Sequence, residues 1–280
     1  MTSKILKIAL VGRTNAGKST LINSIVGEKI SIQNKKINTT QVTIIGVKNI
    51  KKTQLIFYDT PGSNFLKSLN KQSKNLKTNL WSGIDESDII FYLIDSKTAN
   101  IKFLFEQIEK LQEVKKKIIV IFNKIDLISN KQLLPLISNL NKNFQIDSFF
   151  TISAIQNIGI DDLLDYIKKY SYVSKWIFKD DEITNKDDIF IVGELLRETM
   201  LTYLHKEIPY NVSIQTSNFK ILKNNDIKIK QKIIINQKRY KKIILGRKGE
   251  MIKKIREDSQ KKMSQILNAK IHLYLEILNA

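Results

Sequence analysis

Residues 12–19, Gly12-Arg13-Thr14-Asn15-Ala16-Gly17-Lys18-Ser19, set two glycines, a lysine and a hydroxyl in the spacing of a loop that wraps a chain of phosphates. Gly12 and Gly17 admit backbone angles and a close approach that a Cβ would block. Successive N–H groups and the first turn of a following helix can then surround phosphate oxygens. Lys18 would reach the terminal phosphates, while the Ser19 hydroxyl, with Thr20 beside it, would meet a magnesium ion.

A carboxylate follows 41 positions after Lys18, where Gln54-Leu55-Ile56-Phe57-Tyr58 runs into Asp59-Thr60-Pro61-Gly62. Asp59 at a strand end would hold Mg²⁺ through a water, and Gly62 would let its N–H approach the last phosphate; Ser63 comes next. A third apolar run ends in Asn123-Lys124-Ile125-Asp126. The Asp126 carboxylate can accept hydrogen bonds from the N1–H and the exocyclic amine of guanine, an arrangement adenine does not offer. Asn123 would bond the other edge of the base, and the Lys124 stem would cover the ring. Thr151-Ile152-Ser153-Ala154 ends a fourth run and would aim a backbone N–H of Ser153 or Ala154 at guanine O6. Alone, each tetrapeptide is an ordinary turn. In this order at successive strand ends they describe a site for GTP and GDP.

The elements that must hold these loops are legible as alternation. Ile5 to Val11 is followed by Ser19 to Val26, and Asp88 to Ile94 by Ile101 to Val114; Gln54 to Tyr58 and Lys117 to Phe122 are further strand-like runs. Apolar strands alternating with amphipathic helices predict βαβ units and a mainly parallel sheet, with ligands at the carboxyl ends of the strands. The fold class is α/β. Trp81 and Tyr92 read as packing residues.

The chain has 280 residues, no Cys and 2 His, which leaves no disulfide, no thiolate zinc site and almost no ligands for a transition metal. A His-based triad is equally disfavoured. No apolar run reaches the roughly 20 residues that span a bilayer, and the start lacks a secretory h-region, so a cytoplasmic location is expected. The formal charge is +20, from 47 basic and 27 acidic residues. Residues 219–280 hold 17 Lys and Arg against 5 Asp and Glu, so the excess is concentrated at one end, where a polyanionic partner is expected. Between the two halves, Lys179 to Asp188 is polar and aperiodic. The expected domains are therefore 1–173 and 189–280, joined by a linker at 174–188.

In the second domain Ile189, Val192, Leu196, Met200 and Tyr203 fall at helical spacing. Strand-like Asn211 to Ser217 and Asp226 to Ile235 follow, the latter alternating Ile227 and Ile229 with Lys228, Lys230 and Lys232. After Gly246-Arg247-Lys248-Gly249 a helix with Ile252, Ile255, Met263 and Ile266 inward leads to a last strand, Ile271 to Ile277. The order αββααβ, with a basic GxxG turn opening a helix beside an Ile243/Ile244/Ile252/Ile255 groove, resembles a type II KH domain, a small α+β RNA-binding unit. Gly246, Arg247, Lys248, Gly249, Ile252 and Lys253 are its candidate RNA contacts. His205 and His272 are expected to be solvated.

The phosphate, magnesium and base elements resemble the translation-factor-related class of P-loop GTPases, and their union with a type II KH domain resembles the Era family of bacterial ribosome-assembly GTPases over essentially the whole chain. Lys29-Ile30-Ser31-Ile32, Val192-Gly193-Glu194-Leu195-Leu196-Arg197-Glu198 and Ile208-Pro209-Tyr210-Asn211-Val212 add to the match. In the GTPase class a switch threonine closes on Mg²⁺ and the γ-phosphate, and Thr40 of Asn38-Thr39-Thr40-Gln41 takes that position; Lys18, Thr40 and Gly62 are then the catalytic candidates. The class further implies a K⁺ ion at Asn15. The family implies binding near the 3′ end of small-subunit ribosomal RNA, GTP-dependent RNA engagement, a role in 30S maturation, a monomeric state and a peripheral pool at the inner face of the cell membrane. Thr14, Gln41 and Ser63 depart from the family pattern. Ser63 is no water-orienting Gln, and Arg13 is the sole arginine before Arg197, so slow intrinsic turnover is expected. A lipid-binding surface in place of RNA would need aromatic anchors on an amphipathic helix, and the Lys261-Lys262 helix has neither Trp nor Phe.

Overall fold

The computed structural model describes residues 2–27, 44–60, 81–180, 182–184, 187–204, 208 and 212–279. The chain divides into two compact units, one running to Asn185 and the other from Lys186.

Long apolar runs make the strands of the first unit, and their burial on both faces explains the lack of alternation. They are β1 (Lys4–Gly12), β2 (Ile44–Ile50), β3 (Thr53–Asp59), β4 (Ile89–Asp95), β5 (Lys117–Asn123), β6 (Ser148–Ile152) and the short β7 (Tyr172–Val173). The helices are α1 (Lys18–Val26), α2 (Ile101–Gln112), α3 (Leu134–Asn143) and α4 (Ile160–Ile167). The sheet order is β2-β3-β1-β4-β5-β6. β3, β1, β4, β5 and β6 are parallel, as expected, while β2 runs antiparallel on β3 and β7 antiparallel on β1. The strand order reverses about β1, which opens a crevice at its carboxyl end. Register aligns Leu10 with Asp59, Gly12 with Leu93, and Asp95 with Asn123, so distant motifs meet along one sheet edge. Tyr92 is buried in the core and Trp81 packs partly buried against it.

The segment expected as a connector is bound to this unit over much of its length. Ser174 N–H donates to Ser3 O at 3.1 Å, Trp176 Nε1 to Lys52 O at 3.2 Å, and Val47 N–H to Ile183 O at 2.8 Å. Gln54 is fully buried in β3. Its Oε1 accepts from the N–H groups of Ile177 at 2.9 Å and Phe178 at 3.0 Å, and its Nε2 donates to Phe178 O at 3.0 Å. A buried amide with its partners supplied clamps the segment to the sheet.

The second unit contains α5 (Asp188–Tyr203), β8 (Val212–Ile221), β9 (Ile227–Ile235), α6 (Lys238–Leu245), α7 (Glu250–Leu267) and β10 (Ile271–Asn279). This is the αββααβ order expected from sequence. Asp187 caps α5 by accepting from Phe190 N–H at 2.8 Å. The sheet order is β10-β9-β8, with β10 parallel and β8 antiparallel to β9. Val192, Leu196 and Met200 of α5 and Ile255 and Met263 of α7 share one core with Ile229, Ile233 and Leu273. Lys262 lies 3.4 Å from Asp258 and 3.8 Å from Glu198, so it is engaged within this unit.

Candidate functional site

The phosphate loop joins β1 to α1, with Gly17 as the helix N-cap at φ 97°. A Cβ built at Gly17 would fall 2.1 Å from Asn123 Nδ2, so the glycine is required by a close approach as well as by its backbone angle. Lys18 is buried, its Nζ donating to Gly12 O at 3.0 Å and Arg13 O at 3.1 Å. Burial brings its ammonium down from the ordinary lysine range to about 8, partly opposed by the Asp59 charge. Two carbonyls of its own loop thus hold the Lys18 ammonium in place.

Ser19 Oγ donates to Asp59 Oδ2 at 2.7 Å, across 40 positions of sequence. The two expected magnesium ligands are thus neighbours at the ends of β1 and β3. A hydroxyl and a buried carboxylate are hard oxygen donors, the chemistry Mg²⁺ takes, and Mg²⁺ completes its shell from water and phosphate. Among the described residues no group of three or more His, Cys, Asp or Glu could hold a metal by itself. Thr60 is fully buried and donates its hydroxyl to Leu10 O. Thr40, Pro61, Gly62 and Ser63 lie outside the described residues, as do Lys29 to Ile32, His205 and Pro209 to Asn211.

Asn123 ends β5 and is buried. Its Nδ2 donates to Ala16 O at 2.9 Å, and its Oδ1 accepts from Lys124 N–H at 2.8 Å and Ala154 N–H at 3.0 Å. The sequence places Asn123 at the edge of the base and the Ser153 or Ala154 N–H at guanine O6. In this structure the Asn123 side chain joins three loops, the Ala154 N–H is bonded to it, and the Ser153 N–H donates to Ile158 O at 3.1 Å. Lys124 adopts φ 65°, and its Nζ donates to Asn15 O and to Asp95 Oδ2, each at 2.6 Å. Asp126 is exposed and accepts from the buried Ser153 hydroxyl at 2.6 Å. Ile125 follows Lys124 in the short helical turn that presents Asp126.

Asp95 stands outside the four loop motifs of the sequence. It ends β4, pairs with Lys124 and caps the next turn by accepting from Lys97 N–H at 3.0 Å. Its signal was a carboxylate closing the buried run Ile89 to Ile94, in register with Asn123. Arg13 stacks on Phe103, 4.6 Å from the ring centroid, beside a cleft of about 260 Å³ that Thr14, Asn15 and Asp95 also line.

In the second unit Gly246, Arg247, Lys248 and Gly249 connect α6 to α7, with Lys248 at φ 50° and Gly249 capping α7. A Cβ at Gly246 would fall 2.5 Å from Met251 Cβ, whereas nothing lies within 4 Å of one at Gly249. The first glycine therefore packs the turn, and the second leaves the helix N-terminus open to a backbone phosphate. Lys253 is exposed and Ile252 partly buried on the first turns of α7. Of the four isoleucines expected to line a groove, Ile244 and Ile255 are fully buried core residues, while Ile243 is 41% exposed. Core formation consumed two of them because α6 and α7 bury the faces on which they stand. His272 is half-buried, with Nε2 2.8 Å from Asp226 Oδ2. It is paired as well as solvated.

Residues 7–124 match the family model described as 50S ribosome-binding GTPase, and residues 207–279 match the KH domain model. GTPase Era of Rickettsia conorii is 36% identical over 97% of this chain and 79% of its own length. A crystal structure of Era with MgGDPNP and nucleotides 1506–1542 of 16S ribosomal RNA matches at TM-score 0.90 and 30% identity, covering 99% of this chain and 94% of that one. An Era variant of Aquifex aeolicus bound to GDP and AlF4⁻ matches at TM-score 0.90 and 30% identity, over 100% of this chain and 94% of that one.

Proposed function

This chain belongs to the Era family of GTPases, and from that premise we propose that it is a GTP-hydrolysing switch whose KH unit binds small-subunit ribosomal RNA near its 3′ end and assists 30S assembly. The observation that most directly supports the nucleotide half is the Asn123 side chain, which holds the phosphate loop, its own loop and the Ser153-Ala154 loop in one rigid frame. Exposed Asp126 at one end of that frame would select guanine, and buried Lys18 at the other would answer the charge of the β- and γ-phosphates.

Ser19 and Asp59 would hold Mg²⁺, with Thr40 joining them in the triphosphate state. The ion supplies charge neutralisation for the departing diphosphate. Gly12 to Thr20, Thr60 to Ser63 and Asn123 to Asp126 would contact the nucleotide, and Asn15 would hold K⁺ near the phosphates. With Ser63 after Gly62 and no arginine but Arg13 in the first unit, turnover by the free protein is slow and rises when a partner orders the site. Gly246 to Gly249, Ile252 and Lys253 would grip RNA. Among the described residues no helix is long and apolar enough to cross a membrane. The protein would act as a cytoplasmic monomer with a peripheral membrane pool.

The test pairs two variants. Asp126→Asn replaces an acceptor by a donor, so GTP binding should fall at least about tenfold while xanthosine triphosphate, which carries a carbonyl in place of the exocyclic amine, is gained. Gly249→Asp, in open space, should weaken capture of the 1506–1542 fragment without altering nucleotide binding. Unchanged guanine selectivity in the first variant, or unchanged RNA capture in the second, rejects the corresponding half of the reading.

A further inference from the structure

The solvent face of the second sheet carries a lysine row that neither the nucleotide site nor the GxxG loop uses. On β9, Ile227, Ile229, Gln231, Ile233 and Ile235 are buried, and strand alternation turns Lys228, Lys230 and Lys232 to the opposite face. Register sets Lys220 beside Lys228, and Tyr274 beside Lys230. Tyr274 is 53% exposed, and its ring centroid lies 5.4 Å from Lys228 Nζ. The acidic groups here are Glu276, beside Lys232, and Asp226, which His272 and Lys270 already engage. Among the described residues none of Lys220, Lys228, Lys230 or Lys232 is in an ion pair.

Alternate residues of a strand stand about 6.6–6.8 Å apart, so the three lysines form an evenly stepped line of charge on a rigid support. Such a line matches a repeating polyanion better than a single anion. An exposed aromatic ring beside it offers a stacking surface for a base. A GxxG loop clamps only about four nucleotides, which leaves the rest of a longer RNA to find other contacts. We propose that this sheet face, through Lys228, Lys230, Lys232 and Tyr274, is a second RNA-binding surface, which holds a part of the RNA other than the nucleotides at Gly246–Gly249. The proposal rests on the RNA-binding reading above.

The test uses the full chain with two probes, a single-stranded hexamer that can occupy the loop and the 1506–1542 fragment. For the fragment, replacing Lys228, Lys230 and Lys232 by Gln should lower the slope of log affinity against log salt by about 2. Tyr274→Ala should weaken fragment binding at least about fivefold. Hexamer affinity and basal GTP turnover should not change. If the triple variant does not fold, as judged by circular dichroism, exposed Lys230→Gln alone should lower the slope by about 0.7. Fragment binding and salt slope equal to wild type would overturn the proposal. So would equal weakening of both probes, or loss of binding to phosphatidylserine vesicles with RNA binding intact. If instead Gly249→Asp leaves hexamer binding unchanged, the loop reading fails while the sheet face is judged on the fragment alone.

Discussion

Asn123 donates to Ala16 O at 2.9 Å across 107 positions, and the same side chain accepts from two further loops. The Asn123 loop and the Gly12–Ser19 loop are thereby one mechanical part. Asn123→Ala removes three hydrogen bonds, two of them buried, each worth about 1 kcal/mol. Nucleotide-free protein should lose about 2–3 kcal/mol, or roughly 5–10 °C of melting temperature. GTP and GDP affinities should fall together, since the frame serves both; loss of only one would contradict this role.

The close approach of Gly17 to Asn123 predicts coupling. Gly17→Ala must displace the amide that sits 2.1 Å from the new methyl, so it already breaks part of what Asn123→Ala breaks. In a double-mutant cycle by urea unfolding, the pair should fall short of the sum of the singles by at least about 1 kcal/mol. Strict additivity would mean that the two residues do not share this contact.

Lys18 titrates at about 8 in the folded, nucleotide-free chain, below the lysine value of 10.5. Between those pH values the unfolded chain keeps a proton that the folded chain has released, so folded stability gains as pH rises through the window. Phosphates would raise the Lys18 value again. GTP binding at pH 8.5 should therefore take up more than about half a proton, measured by calorimetry in buffers of different ionisation enthalpy, and affinity should decline above pH 8. Binding without proton uptake at that pH would refute the buried, partly neutral lysine.

Gln54 predicts how the segment after β7 is kept in place. Gln54→Leu preserves volume but strips the N–H groups of Ile177 and Phe178 of their acceptor. Those amides should exchange hydrogen much faster, and protease should cut within residues 174–184. The cost is about 2–3 kcal/mol, confined to the segment if β3 stays packed. Exchange as slow as in wild type would show that other contacts suffice.

The residue types of the loops, their order along the chain and the alternation of apolar strands with helices were all written locally, in windows of a few residues that a strand end or helix start must satisfy by itself. Gly12 to Ser19, Asp59, Asn123 to Asp126 and the αββααβ pattern are therefore legible in the amino-acid sequence alone. Packing decided the rest. That Asn123 joins three loops depends on Ala16 and Ala154, and Gln54 finds its partners in the segment after β7 more than 120 positions away. Asp95 meets Lys124 only because β4 and β5 lie in register, and Ile244 left the expected groove because α6 buries the side of the helix it occupies. Partners so far apart in the chain leave no mark on local pattern; they exist once the sheet has brought its strand ends to one edge.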